Sequence, residues 1–137
     1  MADKFKLDIV TPTRLLVSEE VDEVTAPGIE GEFGVLPGHT PFLTALGVGE
    51  LMYRKGTSVQ YVAMCRGFAE VTHDKATILA EEAEFAHEID VKEAEVAKEE
   101  AEKAIATGLS HDSKEYLEAQ GKLERAMNHI HVASRKR

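Results

Sequence analysis

The sequence of 137 residues is short of most features that secreted, membrane-spanning or nucleic-acid-binding chains require. It has one cysteine, Cys65, so no internal disulfide can form and a reducing compartment is the natural setting. No apolar run approaches the roughly 20 residues that span a bilayer. The opening Met1-Ala2-Asp3-Lys4 carries an early acid and no apolar signal core, which predicts a chain that stays where it is made. Lysine and arginine number 16 against 25 acids, a net charge of −9. That balance excludes nucleic acid as a partner, because phosphate binding needs clustered cations, and disfavours an anionic lipid surface.

Catalytic signatures are equally scarce. There is no Gly-x-Ser-x-Gly, no phosphate loop and no carboxylate pair at useful spacing. Cys65 lies in an apolar strand pattern and reads as a small buried residue. His129 and His131 are about 200° apart around a helix and cannot share a metal. His73 and His111 fall in turns and are expected to be solvated. The sequence thus predicts no catalytic residue, no metal and no cofactor.

What the chain does contain divides into two halves. All four prolines and eight of the ten glycines precede residue 70. Phe5, Leu7 and Ile9 alternate with Lys6, Asp8 and Val10, the period of a half-buried strand. Val21, Val24 and Ala26 continue in short pieces. Leu51 and Tyr53, then Val59, Tyr61 and Ala63, flank Arg54-Lys55-Gly56-Thr57, a hairpin signal. Phe68 and Val71, then Thr77, Ile78 and Leu79, flank a second turn at His73-Asp74-Lys75. Frequent turns between short strands predict an all-β sandwich or barrel.

From Asp90 onward there is no proline and the period becomes helical. Asp90 with Glu93 forms a capping-box signature, and Ala94, Ala97, Ala101 and Ala104 make one apolar stripe. Gly108 is a stop signal. Asp112 with Glu115 repeats the cap. Tyr116, Ala119, Leu123, Ala126, Ile130 and Ala133 then form a second stripe. Two helices joined by a short loop predict an antiparallel hairpin. At roughly 0.8 kcal/mol per buried methyl, four alanines contribute at most about 3 kcal/mol. Inverting a two-state equilibrium takes about 5.5 kcal/mol, a comparable amount. A hairpin that opens on demand and a permanent one with an economical interface both fit.

Residues 1–88 carry 15 acids and 7 bases, residues 89–137 carry 10 and 9, and no acid follows Glu124. Arg125, Arg135, Lys136 and Arg137 therefore form a basic tip. It suits the negative end of a helix dipole, or an acidic partner surface.

The most specific segment runs from Pro27 to Pro41: Pro-Gly-Ile-Glu-Gly-Glu-Phe-Gly-Val-Leu-Pro-Gly-His-Thr-Pro. Four glycines and three prolines in fifteen positions dictate backbone shape. Gly28 and Gly31 suit positive φ, and Pro37-Gly38 suits the centre of a type II turn. The segment reads as a shaped surface loop displaying Glu32 and His39.

Gly31-Glu32-x-Gly34-x-x-Pro37-Gly38-His39-x-Pro41 resembles the signature of the epsilon subunit of F-type ATP synthases at every fixed position. Gly67-Phe68-Ala69-Glu70-Val71 and the opening Phe5-x-Leu-x-Ile-Val-Thr-Pro12 resemble further family segments. The resemblance implies an α+β chain: a ten-stranded β-sandwich over residues 1–86 and a helical hairpin over 87–137. It also implies a non-catalytic rotor subunit that joins the gamma subunit to the ring of c subunits and so couples proton flow to rotation. Gly31, Glu32, Pro37, Gly38 and His39 would form the contact loop. The helices would inhibit ATP hydrolysis by extending toward the catalytic beta and alpha subunits, led by the basic tip. The protein would be a peripheral membrane protein on the cytoplasmic side of the bacterial inner membrane, without direct insertion.

Some bacterial members of that family bind ATP on the folded hairpin through Ile/Leu-Asp-x-x-Arg-Ala. Here Ile89-Asp90-Val91-Lys92-Glu93-Ala94 puts Glu93 at the arginine position. A triphosphate needs several positive partners, so ATP is not an expected ligand in the usual range. Weak contact through Ile89, Asp90, Lys92 and Arg125 stays open. A coiled-coil adaptor or a free nucleotide sensor would account for the helices alone, and leaves the glycine-and-proline segment unexplained.

Overall fold

The computed structural model describes residues 4–135. A break between Phe85 and Ala86 divides it into two compact units. The first is all β: β1 (Phe5–Val10), β2 (Leu15–Val21), β3 (Glu23–Gly28), β4 (Gly31–Val35), β5 (Phe42–Leu46), β6 (Gly49–Lys55), β7 (Ser58–Val71) and β8 (Lys75–Phe85).

These are eight strands, not ten, because β7 and β8 each serve both layers. One half of the ladder runs β2-β1-β8-β7-β5, with β1 parallel to β8 and the other pairs antiparallel. The other half runs from the far end of β8 through β7 and β6 to β3 and β4. Cutting β7 and β8 where they pass from one layer to the other gives the expected count. β7 makes the passage at Arg66, which has φ +36° and donates its backbone N–H to Gly47 O at 3.1 Å. Gly67 follows because nothing larger fits: a Cβ there would stand 1.8 Å from Leu79 O on β8.

The core forms as the alternation predicts. Leu7, Ile9, Val21, Val24, Leu51, Val62, Val71 and Ile78 are essentially inaccessible to solvent. Gly56, with φ +63°, makes the β6–β7 turn. That turn pairs Leu51 with Val62 and Tyr53 with Gln60, so Val59, Tyr61 and Ala63 lie on the opposite face from Leu51 and Tyr53. A two-residue turn fixes this phase, which the apolar pattern of both faces of β7 concealed. Asp22 ties the turn down by accepting from Gly56 N–H at 2.7 Å and pairing with Lys4 at 3.0 Å. Cys65 is buried, as expected.

The second unit begins with a short 3-10 turn, Ala86–Glu88, followed by α1 (Val91–Ala106) and α2 (Lys114–Ala133), which pack against each other. Asp90 caps α1, its carboxylate accepting from Glu93 N–H at 3.1 Å. Thr107 and Gly108, with φ +85°, end it. The cap of α2 is Ser113 rather than Asp112: its hydroxyl accepts from Tyr116 N–H at 3.1 Å. Asp112 instead accepts from Ser110 Oγ, and that bond holds its carboxyl below the usual range. An extended serine directly before the first turn satisfies the same orphan donor, so the capping signature slipped by one residue. His111 is exposed in the turn, as expected, and also stacks on Tyr116 with centroids 4.7 Å apart.

Candidate docking surfaces

The segment from Pro27 to Pro41 is not one loop. Its first part is the β3–β4 hairpin with a two-residue turn at Ile29-Glu30, and its second is the connection to β5. Gly31 (φ +130°) and Gly38 (φ +79°) adopt the positive φ expected of them, and Gly38 has the value that the third residue of a type II turn requires. Gly28 does not. It is needed for close approach, since a Cβ there would lie 2.7 Å from Gly31 O. Pro27 packs against Gly49, and Pro27 O accepts from Gly47 N–H at 2.9 Å. Ile29 N–H reaches Ala45 O at 3.2 Å. The segment therefore builds the corner where β3 meets β5, and its rigidity comes from those bonds.

Glu32 and His39 are consequently held by different means. Glu32 is an exposed residue of β4, opposite Pro27, and strand alternation turns it away from the side that Phe33 occupies. Phe33 packs edge-on against Phe42 at 5.3 Å. His39 lies in the connection with its ring 5.0 Å from Phe42, and its Nδ1–H donates to Thr40 O at 2.6 Å. Pro37 sets up the turn that brings the imidazole there. The turn tips expose Ile29 and Leu36. An anionic strand and an aromatic-backed imidazole, flanked by two aliphatic tips, suit a polar surface with basic groups.

A second surface escaped the sequence reading. Ala45, Phe68, Leu79, Val10 and Leu15 are successive register partners across β5, β7, β8, β1 and β2. Their side chains form one apolar row on the outside of the sheet, with Leu43 one rung away. Leu43 is 71 % exposed, Leu15 60 %, Phe68 55 % and Leu79 50 %. A contiguous apolar row of this kind marks an interaction face. Its signal was adjacent apolar residues such as Ile78-Leu79 within a strand, which make both faces apolar.

In the helical unit the expected stripes form. Ala94, Ala101, Ala119, Ala126 and Ala133 are buried. His129 and Val132 are buried too, although neither belongs to the stripe read from the sequence. His129 is satisfied locally, its Nδ1–H donating to Arg125 O at 2.8 Å. A groove of about 390 Å³ opens between the helices over a floor of Ala97, Ala101, Ala104 and Ala119. Its rim carries Glu100, Glu115, Glu118, Lys122 and Arg125. Of the four residues singled out for nucleotide contact, only Arg125 lines this groove; Ile89 is buried and Asp90 is used as the cap of α1. Arg135 is half-buried just past the end of α2, while Lys136 and Arg137 lie outside the described residues. Among the described residues no cluster of His, Cys, Asp or Glu could hold a metal ion.

Comparison with known proteins sets these surfaces in context. Residues 4–86 match the family model described as ATP synthase, Delta/Epsilon chain, beta-sandwich domain. Residues 87–134 match the corresponding long alpha-helix domain. The ATP synthase epsilon chain of Geobacter metallireducens is 50 % identical over 135 residues, covering 98 % of this chain and 97 % of that one. That of Syntrophobacter fumaroxidans is 52 % identical, covering 98 % and 99 %. Among solved structures, a chain of the Euglena gracilis mitochondrial ATP synthase, in an OSCP/F1/c-ring assembly, superposes with a TM-score of 0.81 at 26 % identity, covering 93 % of this chain and 80 % of that one. A chain from the central stalk and c-ring of the Tetrahymena thermophila enzyme has the same fold at 14 % identity, with a TM-score of 0.62 over 96 % and 98 %.

Proposed function

The chain belongs to the ATP synthase delta/epsilon family as an epsilon subunit, and from that premise we propose that its β-sandwich joins the gamma subunit to the c ring while its helices restrain ATP hydrolysis. The epsilon chain is a non-catalytic subunit of its complex. The observation that carries the proposal is the apolar row from Ala45 to Leu15, a ready-made face for a permanent partner. Gamma docks on this row, and the corner with Gly31, Glu32, Pro37, Gly38 and His39 meets the polar loops of the c ring. The Euglena neighbour comes from an assembly that contains F1 and a c ring, which supports both contacts. No helix among the described residues is long and apolar enough to cross a membrane. In this reading the chain reaches the cytoplasmic face of the inner membrane through its partners.

The test is Phe68→Ser. Phe68 is more than half exposed, so the isolated chain should keep its stability to within about 0.5 kcal/mol. A buried aromatic at an interface costs more than 1 kcal/mol on truncation, often about 2 or more. Copurification with gamma should therefore fall roughly tenfold. Unchanged copurification of a folded variant refutes the placement of gamma on this row.

The inhibitory role rests on the alanine interface of the hairpin, which buries little, and on Arg125 in the body of α2 with Arg135 just past its end. Opening the hairpin would carry that basic end toward the alpha and beta subunits. A tight nucleotide switch is not part of this function: Glu93 stands where the related motif has arginine, and three carboxylates rim the interhelical groove. Calorimetry with ATP on the isolated chain checks this, and micromolar affinity refutes it.

A further inference from the structure

We propose that the free edge of β4 receives an extended strand from a neighbouring subunit of the stalk, continuing the sandwich across the interface. The path of paired strands ends on β2 and β4. β2 is defended. Its pairing with β1 is broken by a bulge at Ile9 and Val10, it carries Glu19 and Glu20, and Lys55 and Tyr53 clasp Glu19 at 3.0 and 3.5 Å. β4 has neither the bulge nor the clasp. Its sequence is Gly-Glu-Phe-Gly-Val, its register with β3 is uninterrupted, and its one charge is Glu32.

The phase of the hairpin shows which groups face outward. The two-residue turn makes Gly28–Gly31 the hydrogen-bonded closing pair. Alternation then leaves Pro27–Glu32 and Thr25–Gly34 as the non-hydrogen-bonded pairs. Pro27 agrees, because its carbonyl is turned to the other side, where Gly47 N–H meets it at 2.9 Å. The N–H and C=O groups of Glu32 and Gly34 therefore point away from β3, two rungs open on an exposed edge.

Gly34 supplies an independent reason. It does not adopt positive φ, and a Cβ there would make only ordinary contact with Thr25 at 3.6 Å. Nothing among the described residues demands glycine at a position where glycine weakens a strand. An edge glycine of this sort is covered well by an aromatic side chain on the strand beside it. The partner strand would carry such a residue beside Gly34, and a lysine or arginine beside Glu32, which complements the acidic charge of the chain.

This inference rests on the assembly into ATP synthase proposed above, and amide exchange separates the two. In the free chain the Glu32 and Gly34 amides should exchange fast, and in the assembled enzyme at least tenfold more slowly. Gly34→Pro removes one outward donor without touching the β3 ladder. It should melt close to the natural chain, yet be held by the complex several-fold more weakly. If the chain assembles but those amides stay fast, or if folded Gly34→Pro is held as well as the natural chain, strand addition is wrong. If Gly34→Pro does not fold, the exchange comparison on the natural chain decides alone. A chain that does not copurify with the enzyme overturns both proposals.

Discussion

Gly67→Ala is the sharpest test of the fold as described. Gly67 stands where β7 passes between layers, directly after Arg66 at φ +36°. A methyl group there would lie 1.8 Å from Leu79 O, 2.8 Å from Leu79 C and 2.9 Å from Ala80 Cα. All three are backbone atoms, so no rotamer change relieves the clash. Restoring ordinary contact near 3.4 Å requires β7 and β8 to separate by about 1.6 Å. That separation disrupts the ladder at Gly67–Ala80 and Phe68–Leu79. Overpacking costs about 1–3 kcal/mol and each lost ladder bond about 1 kcal/mol, so the substitution should cost about 3–5 kcal/mol. At about 4–8 °C per kcal/mol for a domain of this size, the sandwich should melt roughly 12–40 °C lower. Gly34→Ala is the control, because its Cβ has room and alanine relieves backbone entropy. Thermal and urea unfolding followed by circular dichroism read both. If Gly67→Ala falls within about 1 kcal/mol of the natural chain, the close approach of β7 to β8 is wrong.

Three further outcomes follow from other parts of the molecule. Gly121→Ala, inside α2 with nothing within 4 Å of its added methyl, should stabilise the hairpin by about 1 kcal/mol; helical ellipticity on heating would show it, and a loss of stability would contradict the geometry. Asp22 has its carboxyl lowered from 3.8, first by the Gly56 N–H and then by Lys4. A depressed folded pKa contributes stability that is full above 3.8 and lost as pH falls through the lowered value. Urea midpoints of Asp22→Asn should therefore vary less than those of the natural chain below about pH 4, and identical acid limbs would refute the linkage. Removing residues 86–137 should raise ATP hydrolysis by the assembled enzyme, and an unchanged rate would show that the hairpin does not brake it.

Much of this architecture was legible in the sequence because it depends on local rules. The alternation of Phe5, Leu7 and Ile9, the turns at Gly56 and His73-Asp74, the cap at Asp90 and the stop at Gly108 are each set by residues within a few positions of one another. The glycines and prolines between Pro27 and Pro41 carried the family resemblance for the same reason: backbone conformations that other residues resist leave a mark in the sequence. Tertiary structure alone decided the rest. Which face of β7 turns inward depended on a turn that pairs Leu51 with Val62, and a shift of one residue would have exchanged the two faces. The apolar row through Phe68 and Leu79 exists only because five strands, some distant in sequence, align in register. Gly67 looks alike in sequence to a glycine that serves a turn. Its true constraint is the nearness of the β8 backbone at Leu79, which no local pattern records.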